Sequence, residues 1–354
     1  MMNTSQKLIA LLSGAALLSV SSLAAQTATT DPVGYVNLSV GANADLKVGV
    51  PMAQSPAYTG VVDTVINGVV TVSSTVPDVT TAAHYLWVSS GALNGQWFVI
   101  TGYTASSLTV AEDLANAGLV ATDSFRVVPF WTLGSLFPNG GGLPTTDNPS
   151  IVNSFIFLND VTATGTNLSA SGGTYFPFDN GSFSGWLDAS NPSAFVDDDI
   201  IISPASYVTL RNVTESAETV TITGNVPVYT VSNQIVSRAA GAQDNQVFLP
   251  YPADTLIGNL GLVAAGAISS TDNPNVVEDF LLVYSQGAAG LNPSATAAYF
   301  HFDNGSVSGW LDASNPSAFV DDSVTIPASS ALIIRRAASS DTMVEWAAPL
   351  PYTL

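Results

Sequence analysis

The sequence contains no cysteine and only seven Lys and Arg among its 354 residues. The lack of cysteine excludes disulfides, thiolate nucleophiles and Cys-ligated zinc. Against the seven cationic residues stand 27 Asp and Glu, which give a formal charge of −20. A chain with so little positive charge cannot neutralise many phosphates, so the composition argues against nucleic acid and anionic membranes as partners.

Histidine, the residue most often used in acid–base catalysis, occurs only as His84 and His301, and we predict that both are surface residues of strands. The sequence also lacks a nucleophile elbow, a His-Glu-x-x-His zinc motif and a Gly-Lys-Ser/Thr phosphate loop. We therefore predict that the protein is not an enzyme. A glycoside hydrolase with two carboxylates remains an alternative, because it needs no histidine.

Residues 1–25 have the pattern of a secretory signal peptide. Lys7 provides the positive charge, residues 8–18 are an apolar stretch, and Ser22-Leu23-Ala24 is a small-x-small cleavage pattern. The alternative is a retained membrane anchor, although the apolar stretch is short for a span. We expect export to the periplasm, cell surface or medium, with no membrane span left after cleavage.

The remaining sequence predicts an all-β protein of antiparallel β-barrel or β-sandwich modules in tandem. Val, Thr, Ser and Gly dominate, and turn residues interrupt apolar runs at regular intervals. We predict an N-terminal β module at 26–124, with a compact barrel at 53–123, and two further β modules at 125–240 and 241–354.

The last two modules are predicted to be an internal duplication. Phe178-Asp179-Asn180-Gly181 recurs as Phe302-Asp303-Asn304-Gly305, and the segment 184–198 recurs unchanged as 308–322. Arg211 has its counterpart in Arg335. We interpret each repeated segment as a hairpin followed by a loop through Asn191-Pro192. Either the repeated segment performs one task twice, or the copy is recent.

The repeated segment is rich in carboxylates, which are ligands that calcium prefers. Neighbouring Asn and Gly residues add oxygen ligands and close backbone approach. Calcium is therefore a hypothesis, and solvated turn aspartates are the alternative. The candidate ligands are Asp179, Asp188, Asp197, Asp198, Asp303, Asp312, Asp321 and Asp322.

Aromatic residues accompany these carboxylates. An exposed aromatic ring beside polar groups is suited to stacking on a sugar, whereas an aromatic in a β-rich chain is commonly part of the core. The candidate glycan-binding residues are Tyr175, Trp186, Tyr299 and Trp310.

Several short segments resemble an uncharacterised family of secreted, β-rich proteins of verrucomicrobial bacteria. They are residues 30–36, residues 125–129, residues 132–137, Gly185-Trp186 and the apolar strand that ends at Arg211. The resemblance implies export and a β-rich fold, and it implies no particular reaction.

These observations favour an exported, non-catalytic structural or adhesive protein of the cell surface or extracellular matrix. Its expected partners are itself or other surface proteins, and strand edges at the termini are expected to pair between copies. The alternative is a glycan-binding module that uses the duplicated aromatic and acidic loop.

Overall fold

A computed structural model describes residues 31–79, 81–196, 198–287, 289–321 and 323–353. Strands account for 44% of the structure and helices for 4%. The predicted all-β class with antiparallel sheets is therefore confirmed. The predicted signal peptide lies outside the described residues, as do Asp197 and Asp322.

The strands are short and are separated by turns. The first nine are β1 (Val33–Val40), β2 (Ala44–Val48), β3 (Tyr58–Val61), β4 (Thr64–Ile66), β5 (Val69–Thr71), β6 (His84–Val88), β7 (Trp97–Thr104), β8 (Ser107–Val110) and β9 (Ser124–Pro129). The next nine are β10 (Ser154–Leu158), β11 (Gly173–Asp179), β12 (Ser184–Asp188), β13 (Asn191–Val196), β14 (Val208–Asn212), β15 (Glu218–Asn225), β16 (Ser232–Ser237), β17 (Gln243–Phe248) and β18 (Thr255–Leu256). The others are β19 (Ser270–Thr271), β20 (Phe280–Tyr284), β21 (Ala297–Asp303), β22 (Ser308–Asp312), β23 (Asn315–Phe319), β24 (Thr325–Ile326), β25 (Ala331–Arg336) and β26 (Thr342–Ala347).

The helices are single turns, α1 (Leu114–Ala117) and α2 (Leu133–Leu136), and two 3₁₀ turns lie at Pro138–Gly140 and Ile257–Asn259. Asp113 caps α1 by accepting a hydrogen bond from the Asn116 amide. Within the described residues, no helix is long and apolar enough to cross a membrane.

The first sheet is a half-barrel of seven strands in the order β3-β9-β6-β7-β8-β5-β4. The two edge strands, β3 and β4, are consecutive in the chain but are not paired with each other. The sheet is therefore curved and open. The compact barrel predicted for 53–123 is thus an open half-barrel that also needs β9. Leu86, Leu108 and Phe125 lie in its core. Asn67, with φ 53°, lies in the hairpin turn between β4 and β5, and Asn-Gly is a preferred sequence for such turns.

The second sheet has the order β13-β12-β11-β10-β14-β2, and the β1–β15 ribbon packs on it. The core between them includes Leu38, Ile156, Trp186, Leu210 and Ile222, all of them buried. Strand alternation explains this arrangement, because every second residue of β1 and β15 points to the sheet.

The third sheet contains the path β17-β25-β20-β21-β22-β23, and short β19 pairs with β21 in parallel. The β16–β26 ribbon packs on this sheet, and β18 pairs with β24. Ile235, Leu281, Trp310, Ile334 and Trp346 lie in the core. The path β23-β22-β21-β20-β25-β17 matches the order of the second sheet strand for strand.

The sheets do not follow the predicted boundaries at 125 and 241. Strands β1 and β2, assigned by the sequence to the module at 26–124, pair with β15 and β14. Strand β16, assigned to 125–240, pairs with β26. Local patterns identify strands, but they carry no information on which distant strand each one pairs with. The division into modules stays a prediction, and the chain from Pro32 onward folds as one unit.

The segment at Asn191-Pro192, predicted as a loop, is strand β13. Proline lacks an N–H, and it is accepted in a strand when the strand lies at the edge of a sheet. Strand β13 is such an edge, and its pairing with β12 shifts register between Leu187 and Asp188. The loop prediction was wrong because the sequence does not reveal which strands are edges.

Candidate functional site

Four of the six candidate calcium ligands that the structure describes are used as turn caps. The Asp179 carboxylate accepts a hydrogen bond from the Gly181 amide at 2.8 Å, and the Asp188 carboxylate accepts two from Ser190 at 2.7 Å. Asp303 and Asp312 make the equivalent bonds in the second copy. These contacts fix the turns at both ends of each β-hairpin.

Asp179 and Asp188 lie at opposite ends of the β11–β12 hairpin. Asp188 is opposite Tyr175, and Asp179 is opposite Ser184. Four residues of strand separate Tyr175 from Asp179, which is roughly 13 Å. One ion cannot contact both carboxylates at that separation.

The other two described candidates also have structural contacts. The Asp321 carboxylate accepts a hydrogen bond from the Trp310 amide, and the Asp198 carbonyl accepts one from the Gly134 amide. In the part of the chain that the structure describes, no group of three His, Asp or Glu is placed to hold a metal. Since Asp197 and Asp322 lie outside that part, calcium binding stays a prediction.

The candidate glycan-binding aromatics are buried. Trp186 and Trp310 are 2% and 3% exposed, and Tyr175 and Tyr299 are 8% and 7% exposed. All four belong to the two sandwich cores. Rings in those positions offer no face on which a sugar can stack. The hypothesis that these aromatics are exposed for glycan binding is therefore corrected: they are part of the hydrophobic cores.

Both histidines are buried, contrary to the prediction of surface residues. His84 Nδ1 lies 2.8 Å from the Ala82 carbonyl oxygen. His301 Nδ1 lies 2.8 Å from Ser270 Oγ, and its ring packs edge-on against Trp310. Burial lowers the pKa of His301, and the nearby carboxylates of Asp321 and Asp303 oppose that shift.

The most specific polar arrangement in the structure is a pair of matching joints between the second and third sheets. In one joint, the Arg211 guanidinium binds the Asp45 carboxylate with distances of 2.6 and 2.8 Å. The Asn292 amide donates to the same carboxylate at 2.8 Å, and Arg211 donates to the Asn292 side-chain oxygen at 3.0 Å. The Asp45 amide donates to the Gly290 carbonyl. We call this arrangement the Asp45 clasp.

The second joint has the same contacts with the roles of the two sheets exchanged: the third sheet supplies the Asp–Arg pair, and the loop follows a strand of the second sheet. We call it the Asp244 clasp. Arg335 binds Asp244 at 2.7 and 2.9 Å. The Asn167 amide donates to Asp244 at 2.7 Å, and Arg335 donates to the Asn167 oxygen at 3.0 Å. The Asp244 amide donates to the Gly165 carbonyl. Each half therefore supplies one loop and one Asp–Arg pair, the pattern of a two-fold interface within one chain.

Asparagine suits both loops because each must adopt a left-handed backbone. Asn167 has φ 54° and Asn292 has φ 51°, a conformation that asparagine accepts more readily than most residues. The repeat in the sequence pairs Arg211 with Arg335, but no predicted site residue corresponds to Asp45 or Asp244. The recurrence of Gly-x-Asn at 165–167 and 290–292, in step with the repeat, was the available signal.

Other cationic residues also make internal contacts. Lys47 Nζ lies 4.0 Å from the centre of the Tyr284 ring, and burial lowers the pKa of Lys47 while Asp45 opposes that shift. The Arg126 guanidinium lies 4.5 Å from the Tyr229 ring centre. Arg336 contacts Asp279 at 3.4 Å. The positive charge of the chain is thus largely used within the fold.

The two copies display the same exposed edge strand. Residues Asn191–Phe195 of β13 and Asn315–Phe319 of β23 have identical sequences, and all are exposed. Phe195 and Phe319 are 46% and 45% exposed, and each packs one side of its ring against Phe178 or Phe302. We call strand β13, which contains Phe195, and strand β23, which contains Phe319, the twin edges.

A cleft of about 500 Å³ lies between the half-barrel and the two sandwiches. Strand β7 forms one wall, β16 and β17 form another, and residues 160–163 form a third. Trp97 lies in the first wall, half-buried and packed edge-on against Tyr85 and Phe130. The cleft is not predictable from the sequence, because its walls come from segments far apart in the chain.

Comparison of the chain with protein-family models, with curated proteins and with solved structures finds no match.

Proposed function

We propose that the chain is an exported, non-catalytic structural or adhesive protein of the cell surface or extracellular matrix, which associates with further copies of itself through the twin edges. The observation that carries the proposal is the presence of two identical exposed surfaces on one folded unit. A molecule with two equivalent contact surfaces forms chains, and its attachment gains strength from multivalency.

Packing does not account for the identity of the twin edges. Core positions tolerate exchanges that conserve volume, and exposed positions tolerate more. Yet β13 and β23 are exposed along the shared sequence, and half-exposed phenylalanines are unfavourable in water. A shared contact at both edges explains why these residues are the same in each copy.

The contact is expected to depend on the phenylalanine rings more than on main-chain pairing. Pro192 and Pro316 lack an N–H, and the register shift leaves residues 192–194 unpaired with β12. Both features limit continuous strand addition. The ring of Phe195 and the ring of Phe319 are therefore the parts of the edges to test.

The carboxylates described above support a structural role. Asp45 and Asp244 hold the clasps, whereas Asp179, Asp188 and their counterparts cap turns. The formal charge of −20 opposes association of copies, so contact through the twin edges should strengthen as salt screens that charge.

Light scattering on the purified chain from residue 26 onward tests the proposal. We expect mass to increase with protein and sodium chloride concentration. Phe195→Ser or Phe319→Ser alone should stop assembly at dimers, because one edge remains, and the double variant should be monomeric. Val120→Ser removes an exposed apolar side chain from the half-barrel and should leave assembly unchanged.

Two outcomes would overturn the assembly: a wild-type protein that stays monomeric at every salt concentration, or a double variant that still associates. Calcium chloride at matched ionic strength separates screening from specific binding. Export is tested separately by mass spectrometry of the secreted protein, whose first residue should be Ala25 or Gln26. An unprocessed protein retained in the cytoplasm would contradict export.

A further inference from the structure

The cleft between the half-barrel and the sandwiches contains a buried polar side chain without a partner. Asn233 on β16 lines the cleft and is 2% exposed. Neither its Oδ1 nor its Nδ2 makes a hydrogen bond to any described residue. Buried amides nearly always have partners, so this side chain contributes an unpartnered NH2 donor group and an unpartnered carbonyl acceptor to the lining of the cleft.

The other buried amides that line the cleft have partners, unlike Asn233. The Asn245 side chain binds Val236 and the Ile334 carbonyl, and the Gln243 side chain binds Gly165 and the Asp244 carbonyl. In the same strand as Asn233, Ser232 donates to Glu345. The fold thus satisfies the side chains of Asn245, Gln243 and Ser232 and leaves both polar atoms of Asn233 without a partner.

The groups that line the cleft select for a neutral ligand rich in hydroxyls. A hydroxyl both donates and accepts, which matches the free pair of atoms on Asn233 and the exposed amide of Gln234. The carboxylates of Glu112, Asp160 and Glu345 accept from hydroxyls and repel anions, and Arg238 is the cationic residue that accompanies them in the lining. Trp97 adds an apolar surface suited to the C–H face of a sugar ring.

We infer that this cleft binds a neutral oligosaccharide, with Asn233 and Gln234 forming hydrogen bonds to its hydroxyls and Trp97 contacting a ring. A volume of about 500 Å³ lies within the usual range for small-ligand sites. The site differs from the duplicated loop in residues and position. It also does not depend on the twin edges, so sugar binding and self-association succeed or fail independently.

Isothermal titration calorimetry with trisaccharides tests the inference. The neutral probes are cellotriose, maltotriose, xylotriose, laminaritriose and N,N′,N″-triacetylchitotriose, and trigalacturonate is the anionic probe. At least one neutral trisaccharide should bind and raise the melting temperature, since a ligand that binds only the folded state stabilises it. Trigalacturonate should not bind.

Two variants and one control locate the site. Asn233→Leu should weaken binding at least tenfold and raise the urea midpoint of the free protein, because it removes an unsatisfied buried amide. Gln234→Ala, an exposed change that leaves folding intact, should also weaken binding. Gln286→Ala removes an exposed amide outside the cleft and should bind as wild type does.

The inference is overturned if no neutral trisaccharide binds or if trigalacturonate binds as well as the neutral probes. It is also overturned if binding survives both Asn233→Leu and Gln234→Ala. A lower urea midpoint for Asn233→Leu would show that water already satisfies the amide, which assigns Asn233 a structural role and contradicts the inference.

Discussion

Arg211 binds Asp45 through two parallel hydrogen bonds, and the Asp45 side chain is only 1% exposed. The paired geometry is the one in which a guanidinium and a carboxylate interact most strongly. The loop containing Asn292 lies over this pair, and its amide donates to the same carboxylate. Asp45 therefore stabilises the second sheet through Arg211 and also binds the third sheet to it through the Asn292 loop. The same relationship between Arg335 and Asp244 attaches the two sheets in the reverse direction.

Loss of either clasp carboxylate should destabilise the protein by similar amounts. Asp45→Asn or Asp244→Asn leaves a partly buried arginine without its counter-charge, which should cost about 3 kcal/mol. Urea unfolding of each variant measures this cost. Glu215→Gln, a change of the same kind at an exposed position, should stay within about 0.5 kcal/mol of wild type. A clasp variant as stable as this control would show that the joint contributes nothing.

Gly49 lies too close to Phe248 to accept a side chain. A Cβ atom at residue 49 would stand 2.1 Å from Phe248 Cδ2 and 2.4 Å from Phe248 Cβ. Gly49→Ala should therefore lower the free energy of unfolding by about 2 kcal/mol or more, because the backbone must move. With Phe248→Gly, which removes the Cβ atom as well as the ring, the added cost of Gly49→Ala should be small, and strictly additive effects in this double-mutant cycle would contradict the predicted clash.

Tyr251 should make the protein sensitive to alkali. Burial raises the pKa of Tyr251 to about 12, from 10.0 in a solvated tyrosine. The folded state thus keeps a proton that the unfolded state loses above pH 10, so this stabilisation is present below pH 10 and is lost as pH rises towards 12. The loss attributable to Tyr251 should reach about 2 kcal/mol.

Comparison with Tyr251→Phe measures this effect. The variant loses the hydrogen bond to the Ala348 carbonyl, which should cost about 1 kcal/mol at neutral pH, but its stability should fall less steeply above pH 10. Urea unfolding between about pH 9 and about pH 11.5 gives both slopes. Parallel curves for variant and wild type would contradict the assignment.

His301 should make the stability of the folded protein depend on pH in the acidic range. Its pKa is lowered by burial in the folded state, so the unfolded state binds the proton more tightly. Stability should consequently fall as pH drops through the region below 6.5. His301→Phe should flatten this dependence relative to wild type in thermal melts between about pH 7.5 and about pH 5. A His301→Phe variant whose stability falls with pH as steeply as that of wild type would contradict the assignment.

The sequence predicted strands well where local pattern decides them. Alternation and turn residues are local signals, and they predict strands at residues 33–40 and 107–110, which are the bounds of β1 and β8. Pairing was not predictable: Asp45 and Arg211 are 166 positions apart, and composition does not indicate that β2 joins β14. The burial of His84 has the same origin, since it depends on β9 lying beside β6.

The candidate site was less predictable than the fold. Turn aspartates and ligand aspartates have the same local sequence, and only the structure shows that Asp179 and Asp188 cap opposite ends of a hairpin. The cleft around Asn233 requires the relative positions of three sheets. The sequence shows only that strand β16 contains an asparagine. That Asn233 lacks hydrogen-bond partners is visible only in the structure.

The reciprocity of the two clasps has a consequence for refolding. Each half carries both a docking loop and the receptor for the other loop, so two chains opened at this joint can exchange halves and recover every native contact. Refolding at high concentration should then produce intertwined dimers that separate only when they unfold.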